Sequence, residues 1–508
     1  MNIQYLIAIV IYMAAVILIG IYSAKKANKS TDDYFLGGRT LGPWVSAMSA
    51  EASDMSGWLL MGLPGLAYWN GLASAGWTAI GLALGTYLNW LIVSKRLRRY
   101  SERVNAITIP DYFANRFHEQ KPVLLVIASL LIILFFTPYA GSCLMACGKL
   151  FSALFGASYE AMVVIAALFV LIYTFLGGFL GESLSDFMQA IVMVIALVLV
   201  LGLGISHAGG FAAVIENSKS IPGFWSLLTS ASPTGEVVDG VAQFGAPASV
   251  AGMTIASGLA WGLGYFGMPQ VLLRFMAIRT EKELTLSRRV ATIWVVISLS
   301  AAIFIGIIGR ALYPVEYMTN ASAENIFILM STNLLPALLA GLVCAGILAA
   351  SISSSDSYLL ISASAIAKNI YKGILRKNAS DKEVMWVTRG ILVAITLFAM
   401  IVATGGNQVI FTIVDFAWAG LGATFGPLLM FSLFWKKTTY PAAIAGMVTG
   451  GVTVLIWNFF ISKLGGIFGI YELLPAFILS SIVIYVVSKC TGEPSKEIQD
   501  DYDAVMKK

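Results

Sequence analysis

Glu51-Ala-Ser-Asp54-Met-Ser56-Gly57 stands in the middle of an apolar run, residues 42–68. Two carboxylates, two hydroxyls and a glycine are costly at the centre of a membrane helix, where each polar group needs a partner. The run is therefore predicted to be a broken helix. A second run, 248–272, carries Gly258 and then Trp261-Gly-Leu-Gly264-Tyr265, with Pro269 beyond. Each break opens a set of five apolar segments, 42–207 and 248–434. Paired interruptions at matching places in two halves point to an inverted-repeat transporter. Glycine and proline also serve ordinary helix packing, but that does not explain the matched positions.

Composition agrees. Of 508 residues, 58% are hydrophobic and 12% charged, and there are 48 glycines; a soluble domain is about a quarter charged. A spanning helix needs about 20 apolar residues. Thirteen segments qualify: 4–24, 42–68, 71–93, 122–147, 159–179, 183–207, 248–272, 290–312, 334–367, 385–404, 408–434, 440–461 and 472–489. The fold class is thus all-α and polytopic, with a five-plus-five core. The organisation is a first helix and inner loop (1–41), first repeat (42–207), outer loop (208–247), second repeat (248–434), two further helices (435–490) and a cytoplasmic tail (491–508).

The first run has no basic residue before it and Lys25-Lys26 after it, the reverse of a signal peptide. With the N-terminus outside, the cytoplasmic stretches hold Lys25, Lys26, Lys29 and Arg39, then Lys95, Arg96, Arg98, Arg99 and Arg103. They also hold Arg279, Lys282, Arg288 and Arg289, then Lys368, Lys372, Arg376 and Lys377, and finally Lys436 and Lys437. Only Lys149, Lys219, Arg310 and Lys463 fall on the outer side, four of 32 basic residues. The net charge of +5 is then an orientation signal rather than a nucleic-acid footprint. The expected location is the cell membrane, with the C-terminus in the cytoplasm. The outer loop 208–247, rich in Gly, Ser and Pro, is expected to be mobile, and the tail from Thr491 to be a solvated helix or disordered.

Catalytic chemistry is poorly supplied. The two histidines, His118 and His207, lie near segment ends, and the four cysteines read as small apolar residues or segment ends. No zinc spacing, phosphate-binding loop or nucleophile–base pair is present, so the chain is not expected to be an enzyme. A channel would need a continuous polar pore, whereas the polar residues cluster at the breaks.

The buried ionisable candidates are Glu51, Asp54, Asp186, Asp356 and Asp415, and no Lys or Arg is expected at their depth. A mobile cation is the natural partner, and hard cations take oxygen ligands. Ala350-Ser-Ile-Ser353-Ser354-Ser355-Asp356-Ser357 is a second oxygen-rich stretch, although serines inside helices also bond their own backbone. Asp186 reads either as functional or as a helix-start acid, and Asp415 stays open. Trp58, Tyr139, Trp261 and Tyr265 are suited to wall a pocket for a small ring, or to pack helices.

Several motifs resemble bacterial sodium/proline symporters of the sodium/solute symporter family. They are Glu51 through Gly65, Trp261 through Pro269 with Leu273-Arg-Phe-Met276, Ala417 through Pro427, and Asp32-Asp-Tyr-Phe-Leu-Gly-Gly-Arg39. The likeness covers roughly 5–490. It implies thirteen helices, alternating access, and L-proline and sodium as the transported species. It implies a sodium site from the carbonyls of Ala52, Met55 and Ala350 and the hydroxyls of Ser353 and Ser354. Asp54 would support that ion, and Asp186 would serve the exit path or a second sodium. Proline would lie near Ser56, Gly57, Tyr139, Trp261, Tyr265 and Pro269, and Arg39 at the inner gate. Glu51, Asp356 and Asp415 depart from the family pattern, and Asp356 would alter the inner ion path or add a cation. The nearest alternative is a sodium symporter for another small solute, such as pantothenate or a short organic acid.

Overall fold

A computed structural model describes residues 2–27, 30–405 and 409–507. Lys25, Lys26 and Lys29 lie outside the residues whose side chains are described. The chain is a helical bundle, and among the described residues ten helices are long and apolar enough to cross a membrane. The broken runs and the shorter Tyr159–Phe175 account for the remaining predicted segments.

The first helix, α1, is Ile3–Ala27. The first break separates α2 (Pro43–Asp54) from α3 (Leu63–Asn70). Helix α2 stops because Met55 leaves helical geometry (ψ 71°), and the chain re-enters through one wide turn, Trp58–Gly62. Three long helices follow: α4 (Leu72–Arg103), α5 (Val123–Phe155) and α6 (Tyr159–His207). Gly178, at φ 53°, divides α6 into two segments. The second break separates α7 (Gly252–Gly264) from α8 (Pro269–Ala277). Met268 is extended, and Pro269 opens α8 at a first-turn position that needs no amide donor. Then come α9 (Leu284–Leu312), α10 (Ala337–Ser364), α11 (Asp381–Ala403) and α12 (Ile410–Phe434). The last spans are α13 (Tyr440–Ile456) and α14 (Leu473–Cys490), followed by a polar helix, α15 (Lys496–Met506).

The packing is reciprocal between halves. The first broken helix packs through α3 on α9, and the second packs through α7 on α4. This is the exchange expected of two repeats related by a pseudo-two-fold axis. The α4–α7 crossing is nearly bare backbone. A methyl at Gly81 would meet the Gly258 carbonyl at 2.4 Å, and one at Gly262 the Gly81 carbonyl at 2.3 Å. Small residues allow this approach where lipid supplies no hydrophobic drive.

Basic residues of the predicted inner side gather at one end. Arg99 pairs with Glu281 and Lys368 with Asp111. Helix α15 is tied there by Arg103–Asp501 at 2.9 Å and Lys436–Asp503 at 2.6 Å. At the other end Lys149 pairs with buried Glu324 (2.5 Å), and Arg310 lies buried between the Tyr68 and Phe244 rings.

The segment 208–247 is more ordered than its composition suggested. It forms a helix, Phe211–Ser220, and an antiparallel hairpin, Pro233–Val238 with Val241–Phe244. Asp239 and Gly240, at φ 50° and 76°, make the hairpin turn, as a two-residue Asp-Gly connection favours.

Candidate functional site

The two breaks and the serine stretch of α10 meet in the interior. The Ala52 carbonyl accepts hydrogen bonds from Ser353 Oγ at 2.8 Å and Ser354 Oγ at 3.3 Å. Ser353 also lies 3.1 Å from the Ala350 carbonyl. Four of the five expected sodium ligands therefore converge across α2 and α10. Met55, three residues beyond Ala52, is equally buried where the helix ends. Serines within a helix turn of one another reach a neighbouring helix only if it exposes a carbonyl, and α2 does so because it ends two residues later.

Asp54 turns toward the second break. Its carboxylate accepts from the Tyr265 hydroxyl (2.8 Å) and from Gln270 Nε2 (3.3 Å), while Trp58 Nε1 donates to its carbonyl (3.2 Å). Asp54 thus ties the broken helices to each other. Gln270 was missed in the sequence, although it immediately follows Pro269 in a quoted motif.

The expected aromatic residues form one wall. Trp261 lies 6.2 Å from Trp58 between ring centroids, and Tyr265 lies edge-on to Trp418 at 5.0 Å. Trp418, Phe411, Tyr471 and Tyr358 complete the wall: Trp261 approaches Phe411 at 5.1 Å and Tyr471 at 5.4 Å, and Tyr139 approaches Tyr358 at 4.2 Å. Trp418 stood in the Ala417–Pro427 motif and Tyr358 directly follows the polar stretch 350–357; Phe411 and Tyr471 carry no local signal. Ser56 Oγ is buried without a partner, as is Ser351 Oγ across the break. Gly57 admits no side chain, since a methyl would meet Ala146 Cβ at 2.4 Å. Tyr139, Trp261, Tyr265 and Pro269 are buried as well.

One expectation fails. A basic residue does lie among the buried acids: Arg274 of α8 bonds Asp186 (3.0 Å), Glu182, Ser357 (3.0 Å) and Ser49 (2.9 Å). In sequence Arg274 stands in the Leu273-Arg-Phe-Met276 motif, five residues before Arg279, with nothing to mark it as a partner of the acids. The break starts α8 deep in the protein, so this helix carries Arg274 inward. Asp186, which also accepts from Ser49 Oγ (2.7 Å), belongs to this network and not to the Ala52–serine cluster. Asp356 is buried near the same layer; one oxygen accepts from the Ser357 amide at 2.8 Å and the other has no partner. Asp415 is half-buried, and its backbone carbonyl accepts from Tyr471.

Arg39 is fixed at the end where α8 and α4 finish. Its guanidinium donates to the carbonyls of Met276 (2.6 Å) and Ala106 (2.7 Å) and to both the hydroxyl and carbonyl of Ser101 (3.1 Å each). It thereby joins the end of α8 to the end of α4. Burial, and then the neighbouring Arg98 charge, bring its pKa down to about 10, so it stays charged at neutral pH.

Known proteins resemble this chain throughout its length. The sodium:solute symporter family profile matches residues 34–450. A sodium/proline symporter of Haemophilus influenzae is 39% identical over 99% of this chain and 97% of its own. The osmoregulated proline transporter of Bacillus subtilis is 39% identical, covering 98% and 96%, and the Escherichia coli sodium/proline symporter 40%, covering 97% and 94%. Among solved structures, a Na+-coupled sialic acid symporter in an outward-open state superposes with TM-score 0.79 at 19% identity, covering 97% of this chain and 99% of that one. A nucleobase-cation-symport-1 family transporter gives 0.54 at 12% identity, covering 92% and 98%. With broken helices crossing at an oxygen-rich centre and a family match over most of its length, the chain belongs to the sodium:solute symporter family.

Proposed function

We propose that this chain takes L-proline into the cell, driven by sodium entering with it. The carrying observation is the Ala52 carbonyl shared by Ser353 and Ser354 across two helices. It is an all-oxygen cluster at a helix break, the ligand type that hard monovalent and divalent ions take. Three relatives with similarity along their whole length carry proline in their names, which favours proline over pantothenate or a short organic acid.

Sodium binds between α2 and α10, takes the serine hydroxyls from the Ala52 carbonyl, and fixes the end of α2. That places Ser56 and Gly57 against Tyr139 and the Trp261–Tyr265 wall. The proline ring packs on these aromatics, and its carboxylate meets the positive N-terminal end of α8 at Pro269. Asp54, held by Tyr265 and Gln270, relays the state of one break to the other. Arg39 gates the inner end. The N-terminus lies outside and the C-terminus inside, in the cell membrane.

The driving force suffices. One charge crossing about 100 mV releases roughly 2.3 kcal/mol, and a tenfold sodium gradient adds about 1.4 kcal/mol. Together these support roughly 500-fold accumulation at one sodium per proline.

The test is uptake of radiolabelled L-proline into proteoliposomes with and without an inward sodium gradient, for the parent protein and Ser354→Ala. Sodium-driven accumulation that the substitution abolishes is expected. Uptake indifferent to sodium removes the coupling, and sodium-driven transport of a different solute removes proline alone.

A further inference from the structure

A second group of buried oxygens lies on the other face of α2, away from α10. Glu51 and Asp54 are three residues apart and share a helix face. They face α4 and the second break: Trp90 Nε1 donates to Glu51 Oε1 (3.1 Å), and Tyr265 and Gln270 donate to Asp54. Asn89 Nδ2 donates to the Tyr265 carbonyl at 2.9 Å. The bonds donated by Trp90, Gln270 and Asn89 each leave one oxygen of an acceptor or amide group over. Glu51 Oε2, Asn89 Oδ1 and Gln270 Oε1 are buried without a hydrogen-bond partner, and the Thr86 hydroxyl lies beside Tyr265 with its oxygen free to accept. Each of the four residues is 0–1% exposed.

Such a surplus is costly. A buried acceptor without a donor forfeits its full desolvation penalty, and a buried carboxylate needs a compensating charge. No Lys or Arg bonds Glu51 among the described residues; buried Arg274 is committed to Glu182, Asp186, Ser49, Ser357 and the Gln270 backbone carbonyl. A partner that answers all of these groups at once brings positive charge and takes oxygen ligands. A small hard cation does both.

We propose a second sodium site formed by Glu51, Thr86, Asn89 and Gln270 with the Asp54 carboxylate at its edge. It lies between α2, α4 and the start of α8, distinct from the Ala52–serine cluster. Glu51 supplies the charge and the three neutral oxygens set the size of the cage. Because Gln270 and Asp54 join the two breaks, an ion here clamps α8 to α2 from the side opposite α10.

The site rests on the sodium-coupled reading but not on proline, so the test omits proline. Equilibrium binding of 22Na+ to the purified protein in detergent is counted per chain. Two ions are expected for the parent, one for Glu51→Gln and one for Ser354→Ala. A parent that binds one ion, or a Glu51→Gln protein that still binds two, overturns the proposal. If Ser354→Ala keeps two while Glu51→Gln loses one, the serine cluster fails and this site stands. Should Glu51→Gln not fold, Thr86→Val removes one ligand without changing shape. A weakening of one of the two sodium affinities by about tenfold or more, as lost metal-site partners commonly cause, supports the site; unchanged affinities overturn it.

Discussion

Gly57 shows how tightly single residues are specified. A methyl there collides with Ala146 Cβ and comes within 3.1 Å of Ser351 Oγ. Gly57→Ala is expected to cost about 1–3 kcal/mol, the usual range for overpacking a close-packed interior. Thermal unfolding in detergent reads this as a lowered midpoint. Asp54→Asn separates charge from geometry, because an amide oxygen still accepts from Tyr265. Uptake is expected to need higher sodium with little change in stability; an unchanged sodium dependence would assign Asp54 a purely structural tie. The polar residues at the breaks were legible in the sequence because a carboxylate or hydroxyl in an apolar run is conspicuous. What they touch was not. Arg274 stands between Leu273 and Phe275 with no mark of its partners, and nothing local shows what Phe411, Tyr471 and Tyr358 pack against, since a linear pattern does not say which faces meet.

At the scale of elements, α8 and α15 carry the clearest consequences. Helix α8 brings Arg274 to Glu182 and Asp186, and all three are nearly or fully buried. Replacing Arg274 with Met leaves two carboxylates uncompensated, and breaking a buried pair this way costs about 3–5 kcal/mol. Poor yield of folded protein, restored by adding Asp186→Asn, is the expected result; an unaffected single variant contradicts the network. Helix α15 is held by exposed or half-exposed pairs, each worth little alone. Burial alone would raise the Asp501 carboxyl, but hydrogen bonds from His118 and Arg103 hold it below its ordinary range. A carboxyl with a depressed folded pKa contributes above its unfolded value, about 3.9, and its contribution is lost only as pH falls through the lower folded value. Between pH 7 and pH 5, Asp501 therefore does not release α15. Asp501→Asn does, seen as faster amide exchange over Lys496–Met506; equal exchange in the variant means that the other ties suffice. The break positions and the hairpin turn at Asp239-Gly240 could be recognised from local chemistry. The order of 208–247 was obscured because glycine, serine and proline serve tight turns as readily as loose chain.

For the whole molecule, the reciprocal packing of α3 on α9 and α7 on α4 gives each half a stake in the other's broken helix. Transport by alternating access then requires the halves to exchange which end is closed. In this structure Arg39 ties the end of α8 to the end of α4, and the aromatic rings of the wall pack against one another. Sodium is expected to move that balance by binding one arrangement better than another. An accessibility probe reports this: a cysteine at Ser56 should react with a small maleimide at a rate that sodium changes several-fold. A sodium-independent rate would mean that the ion does not act on the first break. The overall architecture was legible because thirteen apolar stretches, two interruptions and a one-sided charge distribution each constrain the same topology.

The crossing of α4 and α7 has a mechanical meaning. Side chains between helices act as small springs, since rotamer changes absorb sliding; at Gly81, Gly85 and Gly262 there are none, and backbone bears on backbone. Such a joint resists shear. The first half of the second broken helix is in effect welded to its neighbour, and the freedom the cycle needs is left to the far side of the weld, in α8 and the short span from Tyr265 to Met268.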